Sequence, residues 1–289
     1  MQKGVILKTL VCGGRVSLAV LDTTSVVEEA IARHKLSPVA AAALGRTLTA
    51  TAYLCSWLKS DFSSLSVSIS GGGAGGKIGV SGDASLHMRG FIENPQADLP
   101  LRADGKLNVG ACVGKEGTLT VIRDDGDGLP FVGTCALVSG EIAEDFSAYF
   151  LNSEQRPTGV ALGVLIGPDG HCLGAGGVFL QPLPGGGEEA IDYCEREIAR
   201  FSALSSLIEE RGAEGVLRML TEEDFDSRPV YYRCHCSQKK AEGLVMSLGR
   251  DEALKAAGEE GGLVVSCHYC NTDYRFTKED VLRLFGENK

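Results

Sequence analysis

The chain opens with alternating apolar and polar positions. Gly4 to Val11 reads as a strand, Gly13-Gly14 as a turn, and Arg15 to Leu21 as a second strand in which Val16, Leu18 and Val20 recur at every other position. A hairpin is the simplest reading. Thr23 or Thr24 then caps a helix running to about Lys35, and Ser37-Pro38 starts another: a capping hydroxyl followed by proline at the first helical position. That second helix is expected to run to Lys59. From Leu65 to about Gly140 short apolar stretches alternate with glycine and Asp/Asn turns, and Val67/Ile69, Ile78/Val80, Leu119/Val121 and Val132 mark strands. A helix over Ile142 to Leu151 precedes strands at Val160 to Ile166 and Leu173 to Leu180, joined by Gly167-Pro168-Asp169-Gly170. This order predicts an α+β domain over 1–184, rich in antiparallel strands.

The pattern changes after Pro182-Leu183-Pro184-Gly185-Gly186-Gly187. Ile191, Cys194, Ile198, Phe201, Leu204 and Ile208 follow at helical spacing, with Glu188, Glu189, Glu195, Arg196 and Glu209 on other faces. A shorter helix is expected around Glu214 to Leu220, before the acidic run Glu222-Glu223-Asp224. Residues 185–233 are thus read as a helical, amphipathic linker, with 6 basic against 12 acidic residues. Such a segment stays folded only when its apolar stripe is docked, because short helices are marginal in water. An ordinary, permanently packed connector has the same pattern.

Composition sharpens this picture in two places. The 289 residues carry 38 glycines, well above an ordinary share of about 7%, and 10 cysteines, with a net charge of −10. The glycines concentrate in the first two thirds. One run, Gly71-Gly72-Gly73-Ala74-Gly75-Gly76-Lys77, nearly spells a phosphate-binding loop, but Ile78 stands where Ser or Thr must hold magnesium, and a strand follows instead of a helix. It is read as a turn. The acidic balance gives no bulk attraction to nucleic acid or anionic lipid. The longest apolar stretch, Leu36 to Leu58, is broken by Arg46 and several hydroxyls and fits a buried helix better than a membrane span. Met1 to Lys8 lacks a small-residue cleavage site and does not read as a secretory signal. These readings place the cysteines in a reducing cytoplasm, where clustered thiols point to metal or redox chemistry.

Cys234-His235-Cys236 and Cys267-His268-Tyr269-Cys270 carry the chemistry. Two close pairs of thiolates can converge tetrahedrally on one Zn²⁺, the arrangement of closed structural zinc sites. On an extended chain Cys234 and Cys236 point to the same side, and the second pair fits a knuckle turn. Helices are expected over Ala241 to Leu248 and Asp251 to Ala257, a strand over Leu263 to Val265, and a last helix opening at Thr277. A module of this size, 234–289, has little core of its own, so metal would supply much of its folding free energy. Without the metal, Cys234/Cys236 and Cys267/Cys270 are neighbouring thiols that an oxidant can close into small rings. Cys12, Cys55, Cys112, Cys135, Cys172 and Cys194 are dispersed and read as small buried hydrophobes. The five histidines are scattered, no Gly-x-Ser-x-Gly elbow exists, and no catalytic residue is assigned.

Several stretches together resemble one family. They are Leu44-Gly45-Arg46, Val138-Ser139-Gly140-Glu141-Ile142-Ala143-Glu144-Asp145, Tyr149-Phe150 with Ser153-Glu154-Gln155, Gly176-Gly177 with Gln181, and Cys234-x-Cys236-Ser237 with Cys267-x-x-Cys270. The chain resembles the 33 kDa redox-regulated chaperonin family (heat shock protein 33) over nearly its whole length. Gln238-Lys239-Lys240 departs from it, since family members usually keep an arginine there. The resemblance implies a non-enzymatic, ATP-independent holdase with one zinc per chain, inactive when reduced. It implies further that peroxide with unfolding heat, or hypochlorite, forms the disulfides Cys234–Cys236 and Cys267–Cys270, expels zinc and destabilises the linker. Exposed apolar surface then binds unfolding client proteins, often as a homodimer. Two other classes fit the cysteines: a constitutive zinc-ribbon nucleic-acid binder and a thiol-disulfide oxidoreductase. The 8 basic and 9 acidic residues of 234–289 argue against the first. Against the second, Cys267-x-x-Cys270 does not open a helix in a βαβ pattern.

Overall fold

A computed structural model describes residues 3–126, 128–259 and 262–286. Met1 and Gln2, part of the segment weighed above as a leader, lie outside the described residues. The chain forms two compact units, Met1–Arg233 and Cys234–Lys289.

In the first unit, β1 (Gly4–Val11) and β2 (Val16–Asp22) form the expected hairpin, followed by α1 (Thr24–His34) and α2 (Pro38–Cys55). Next come β3 (Ser64–Gly72), β4 (Ile78–Asp83), β5 (His87–Ile92), the short α3 (Val109–Val113), β6 (Gly114–Asp124), β7 (Phe131–Ala136), α4 (Ala143–Asn152), β8 (Gly159–Ile166) and β9 (Cys172–Pro182). Then α5 (Gly187–Ile198), a 3-10 turn, α6 (Leu204–Leu217) and β10 (Asp226–Tyr232) complete the unit. Ten strands make one sheet in the order β7-β6-β3-β4-β5-β10-β1-β2-β9-β8, every pairing antiparallel except β10 with β5. The α+β expectation is met.

Strand alternation gives the sheet two buried faces. Ala19 and Leu21 of β2 join the core around α1 and α2, while Leu18 and Val20 join a second core with α5 and α6. The helix α2 is buried on nearly every side. Its threonines tolerate this because Thr47, Thr49 and Thr51 donate back to the carbonyls of Ala43, Gly45 and Thr47, at 2.9, 2.9 and 2.7 Å. Ser37 caps it as expected, accepting from Ala40 N at 3.3 Å. At Gly45 a Cβ would meet Val27 Cγ2 at 2.9 Å and Val164 Cγ2 at 3.0 Å, so a glycine is what lets α1 and β8 approach.

Three expectations are corrected. The helix α2 ends at Cys55, before Lys59, because Trp57 and Leu58 bond back to the carbonyls of Leu54 and Cys55 and the chain tightens into turns. Thr23 flanks α1 without capping it through its side chain; its hydroxyl meets Thr49 Oγ1 at 2.6 Å, and Asp22 Oδ1 accepts from Thr24 N at 3.0 Å. Residues 185–233, read as a helical linker whose last helix reaches about Leu220, form α5, the 3-10 turn and α6, which ends at Leu217 and is interrupted at Gly212 (φ 64°), and then supply the unexpected β10 between β1 and β5. The glycine-rich run is a turn, as read. Its amides face protein carbonyls: Gly73 N donates to Val113 O at 3.0 Å and Gly75 N to Cys112 O at 2.7 Å.

The second unit has α7 (Gln238–Ser247), α8 (Arg250–Ala257), the hairpin β11 (Leu263–Ser266) and β12 (Asp273–Phe276), and α9 (Lys278–Leu284). Ser237 caps α7, and Thr277 with Asp280 forms a reciprocal cap on α9. Among the described residues its apolar core cluster is small: Ala241, Val245, Ala253, Ala257, Phe276 and Val281. So small a core is weak by itself.

Candidate metal centre

Two features of the backbone bring the cysteines together. Cys234 and Cys236 lie on the extended segment that leads into the Ser237 cap of α7, and Cys267 to Cys270 form the turn between β11 and β12. That turn is fixed by its own backbone. Cys267 N donates to Thr272 O at 2.9 Å and Asn271 N to Cys267 O at 2.7 Å, with Asn271 at φ 56°, a conformation asparagine tolerates.

All four Sγ atoms lie within 4.8 Å of one another. Cys234 and Cys267 approach to 3.7 Å, and Cys236 and Cys270 to 3.3 Å. Four sulfurs at about 2.3 Å from a tetrahedral zinc stand about 3.8 Å apart, so the set fits the ion with little adjustment. Cys270 is buried and the other three are half-buried. Burial pushes the Cys234 and Cys267 thiols up. Burial raises Cys270 as well, but hydrogen bonding with the Thr272 side chain, Cys236 and the Thr272 backbone outweighs it and brings the thiol down to about 7. Four thiols this close resist ionising together, and a divalent cation is what removes that resistance.

Tyr274 and Thr272 were not anticipated as part of this site. Tyr274 Oη donates to Cys236 Sγ at 3.1 Å, and Thr272 Oγ1 lies 3.2 Å from Cys270 Sγ. The hydrogen bond to Cys236 raises the Tyr274 phenol to about 12. The available signal was positional: both residues fall within four of Cys270, Thr272 just before the strand returning from the knuckle and Tyr274 in it. Outer groups of this kind orient metal ligands and tune them.

Comparison with known proteins now decides the family. The sequence profile of the Hsp33 protein family matches residues 5–277. The 33 kDa chaperonin of Desulforamulus reducens is 42% identical, covering 91% of this chain and 90% of the relative. That of Bacillus cytotoxicus is 38% identical, covering 98% and 99%. The crystal structure of the 33 kDa chaperonin (heat shock protein 33 homolog) from Thermotoga maritima superposes with a TM-score of 0.90 at 32% identity, covering 98% of each chain. The chain belongs to the Hsp33 family.

Membership makes it a chaperone-family protein and bears out the resemblance seen in the motifs. In this Hsp33-family chain the other motif residues build the fold. Arg46 Nη1 meets Glu141 Oε2 at 2.8 Å, Tyr149 Oη donates to Glu154 at 2.7 Å, and Gln181 Nε2 donates to Thr158 at 3.3 Å. Of the dispersed cysteines, Cys55, Cys112, Cys135, Cys172 and Cys194 are buried, and burial raises the last two thiols to about 12 and about 11. Cys12 is the half-exposed exception. No helix among the described residues is long and apolar enough to cross a membrane.

Proposed function

We propose that the chain is a redox-controlled, ATP-independent holdase of the cytoplasm, with no catalytic turnover of its own. Residues 234–289 act as the switch, 185–233 as the displaceable linker and 1–184 as the client-binding body. The observation that carries this reading is the four-sulfur cluster in a unit whose buried core, among the described residues, is a cluster of six mostly small side chains. Cys234, Cys236, Cys267 and Cys270 would hold one zinc per chain. Bound zinc supplies folding free energy, on the order of 10 kcal/mol in comparable small modules, and keeps the thiolates together.

A peroxide-class oxidant takes the switch to its other state. One thiol attacks the O–O bond, forming a sulfenic acid and releasing water; its neighbour then attacks that sulfur, closing the disulfide and releasing a second water. Two disulfides consume two peroxides and leave no thiolate to bind metal. The pairing proposed is Cys234–Cys236 and Cys267–Cys270. In the reduced cluster the closest approaches run across the pairs, so the pairing rests on family likeness and on ring size once the module opens.

The rest follows from packing. Phe201, Leu204, Ile208, Val216 and Leu217 lie with Leu18, Val20, Val178 and Leu180 in one apolar cluster. Each such side chain contributes about 1.5–3 kcal/mol while covered. Undocking α5 and α6 exposes both halves of that cluster, a surface suited to unfolding clients and to a homodimer. The position of Cys267–Cys270 in a hairpin turn, away from a helix start, counts against an oxidoreductase.

The test measures zinc, free thiols and suppression of aggregation of a thermally unfolding client, before and after peroxide at raised temperature. One zinc and four protected thiols lost together, with activity gained, is the expected result. Equal activity in reduced and oxidised protein would remove the switch, and peptide mapping of the oxidised protein decides the pairing.

A further inference from the structure

The end of α2 and the turn after it line, with residues of β3 and β6 and with Glu154 and Arg156 beyond α4, a cavity of about 450 Å³. That size suits a small molecule. Leu54, Leu58, Leu65, Val121 and Trp57 give it an apolar wall, and Lys59, Arg123 and Arg156 bring three cations. In a chain of net charge −10 this is a local reversal of sign.

The two carboxylates present are already engaged. Asp125 Oδ2 accepts from Arg123 Nε at 3.2 Å, and Glu154 Oε1 accepts from Tyr149 at 2.7 Å. Lys59 and Arg156 have no carboxylate partner among the described residues; the Arg156 guanidinium lies over the Trp57 ring, 5.5 Å from its centroid. Ser63 also lines the cavity. It is 1% exposed, its backbone is tied to Ser60 O and Ala84 N, and its hydroxyl has no hydrogen-bond partner. A buried hydroxyl left unpaired costs stability, and this one, in the same lining as Lys59 and Arg156, has a hydrogen bond to gain from an acceptor that comes from outside.

We propose that this cavity binds a small organic anion with a flat apolar body, its carboxylate or phosphate held by Lys59, Arg156 and the Ser63 hydroxyl and its body set against Trp57. The neighbouring Asp125 and Glu154 disfavour ligands of high negative charge, which limits the anion to a single acidic group. The site is independent of the cysteine cluster and of the holdase reading.

Trp57 is the single tryptophan of the chain, so its emission reports the cavity directly. The reduced full-length protein is titrated with phenyl phosphate and with benzoate, and with inorganic phosphate and phenol as the separated halves. At least one aryl anion should change Trp57 emission saturably, about tenfold more tightly than either half, because joined halves bind as one. Arg156→Gln should weaken that binding about tenfold, as loss of a charge-assisted contact does. Ser63→Ala should weaken it severalfold without lowering the thermal midpoint, since alanine removes an orphaned hydroxyl. A purely structural Ser63 would give the reverse, a lower midpoint with binding intact. No saturable response to either aryl anion, inorganic phosphate binding as tightly as phenyl phosphate, or unchanged binding in both variants would each overturn the proposal.

Discussion

Arg46 and Glu141, 95 positions apart in sequence, meet at 2.8 Å through Nη1 and Oε2, and the same guanidinium nitrogen donates to the Glu141 carbonyl at 3.1 Å. Glu141 also accepts from Arg102 Nη1 at 3.1 Å and Gly110 N at 3.2 Å. One carboxylate therefore ties the middle of α2 to three other stretches. Glu141→Ala removes the three carboxylate bonds, to Arg46, Arg102 and Gly110 N, and leaves Arg46, with its side chain 19% exposed, bonded to the main-chain carbonyl but without its counter-charge. The expected loss is about 2 kcal/mol, read as a lower urea midpoint with unchanged slope. Glu141→Gln, which keeps an acceptor, should lose roughly half as much.

A second carboxylate organises the loop before α4. Asp145 is fully buried; its Oδ1 accepts from the amides of Val138, Ser139 and Gly140 at 2.7, 3.1 and 3.3 Å, and its Oδ2 from Ile142 at 2.8 Å. Those bonds hold Ile142 at φ 71°, costly for a β-branched residue. Asp145→Asn turns an amide donor toward the Ile142 N–H. A loss of about 2 kcal/mol is expected, with protection of the 138–142 amides from hydrogen exchange falling first.

How far the sequence foretold these arrangements depends on how local their causes are. The Ser37-Pro38 start of α2 and the Thr277 start of α9 were legible because a cap and its partner lie within three residues. The cysteine set was legible because its spacing is itself the chemistry. β10 was missed: Asp226-Ser227-Arg228-Pro229 has no apolar alternation, and Pro229 has no N–H to give a ladder, yet the segment pairs with β1 from Lys8 to Gly4. β5 was missed because Gly90 interrupts its buried positions, Met88 and Ile92; a Cβ there would meet Val80 Cγ2 at 2.9 Å. The Arg46–Glu141 contact and the Tyr274–Cys236 contact depend on tertiary closure, which no single stretch encodes.

Lys8 gives the first unit a pH dependence. Burial first, then the Arg228 charge, lowers its ammonium from 10.5 to about 8, against a smaller opposing effect of Asp226. A lowered lysine binds its proton less well in the folded chain than in the unfolded one, so this group makes stability rise with pH. Its penalty is complete below pH 8, shrinks between 8 and 10.5, and is gone above. Lys8→Met should therefore be more stable than the parent near pH 7, with the difference closing toward pH 10. Paired urea titrations at several pH values check this, since groups common to both proteins cancel.

Tyr274 separates ligand geometry from ligand number. Tyr274→Phe leaves all four sulfurs and the hairpin but removes the hydroxyl that donates to Cys236 Sγ at 3.1 Å. Loss of such an outer partner typically costs about 10–100-fold in metal affinity. Cys267→Ser removes one of the four proposed ligands and is expected to abolish stoichiometric zinc, with the helical signal of residues 238–284 falling as the small core loses its support. In Tyr274→Phe, zinc should still bind one per chain, and a competing chromophoric chelator should extract it at about tenfold lower concentration. Oxidation should follow the same order, with peroxide releasing zinc fastest from Tyr274→Phe, because a thiolate relieved of its donor is the better nucleophile. If chelator extraction from Tyr274→Phe matches the parent, Tyr274 merely packs beside the cluster and the four sulfurs alone set its affinity.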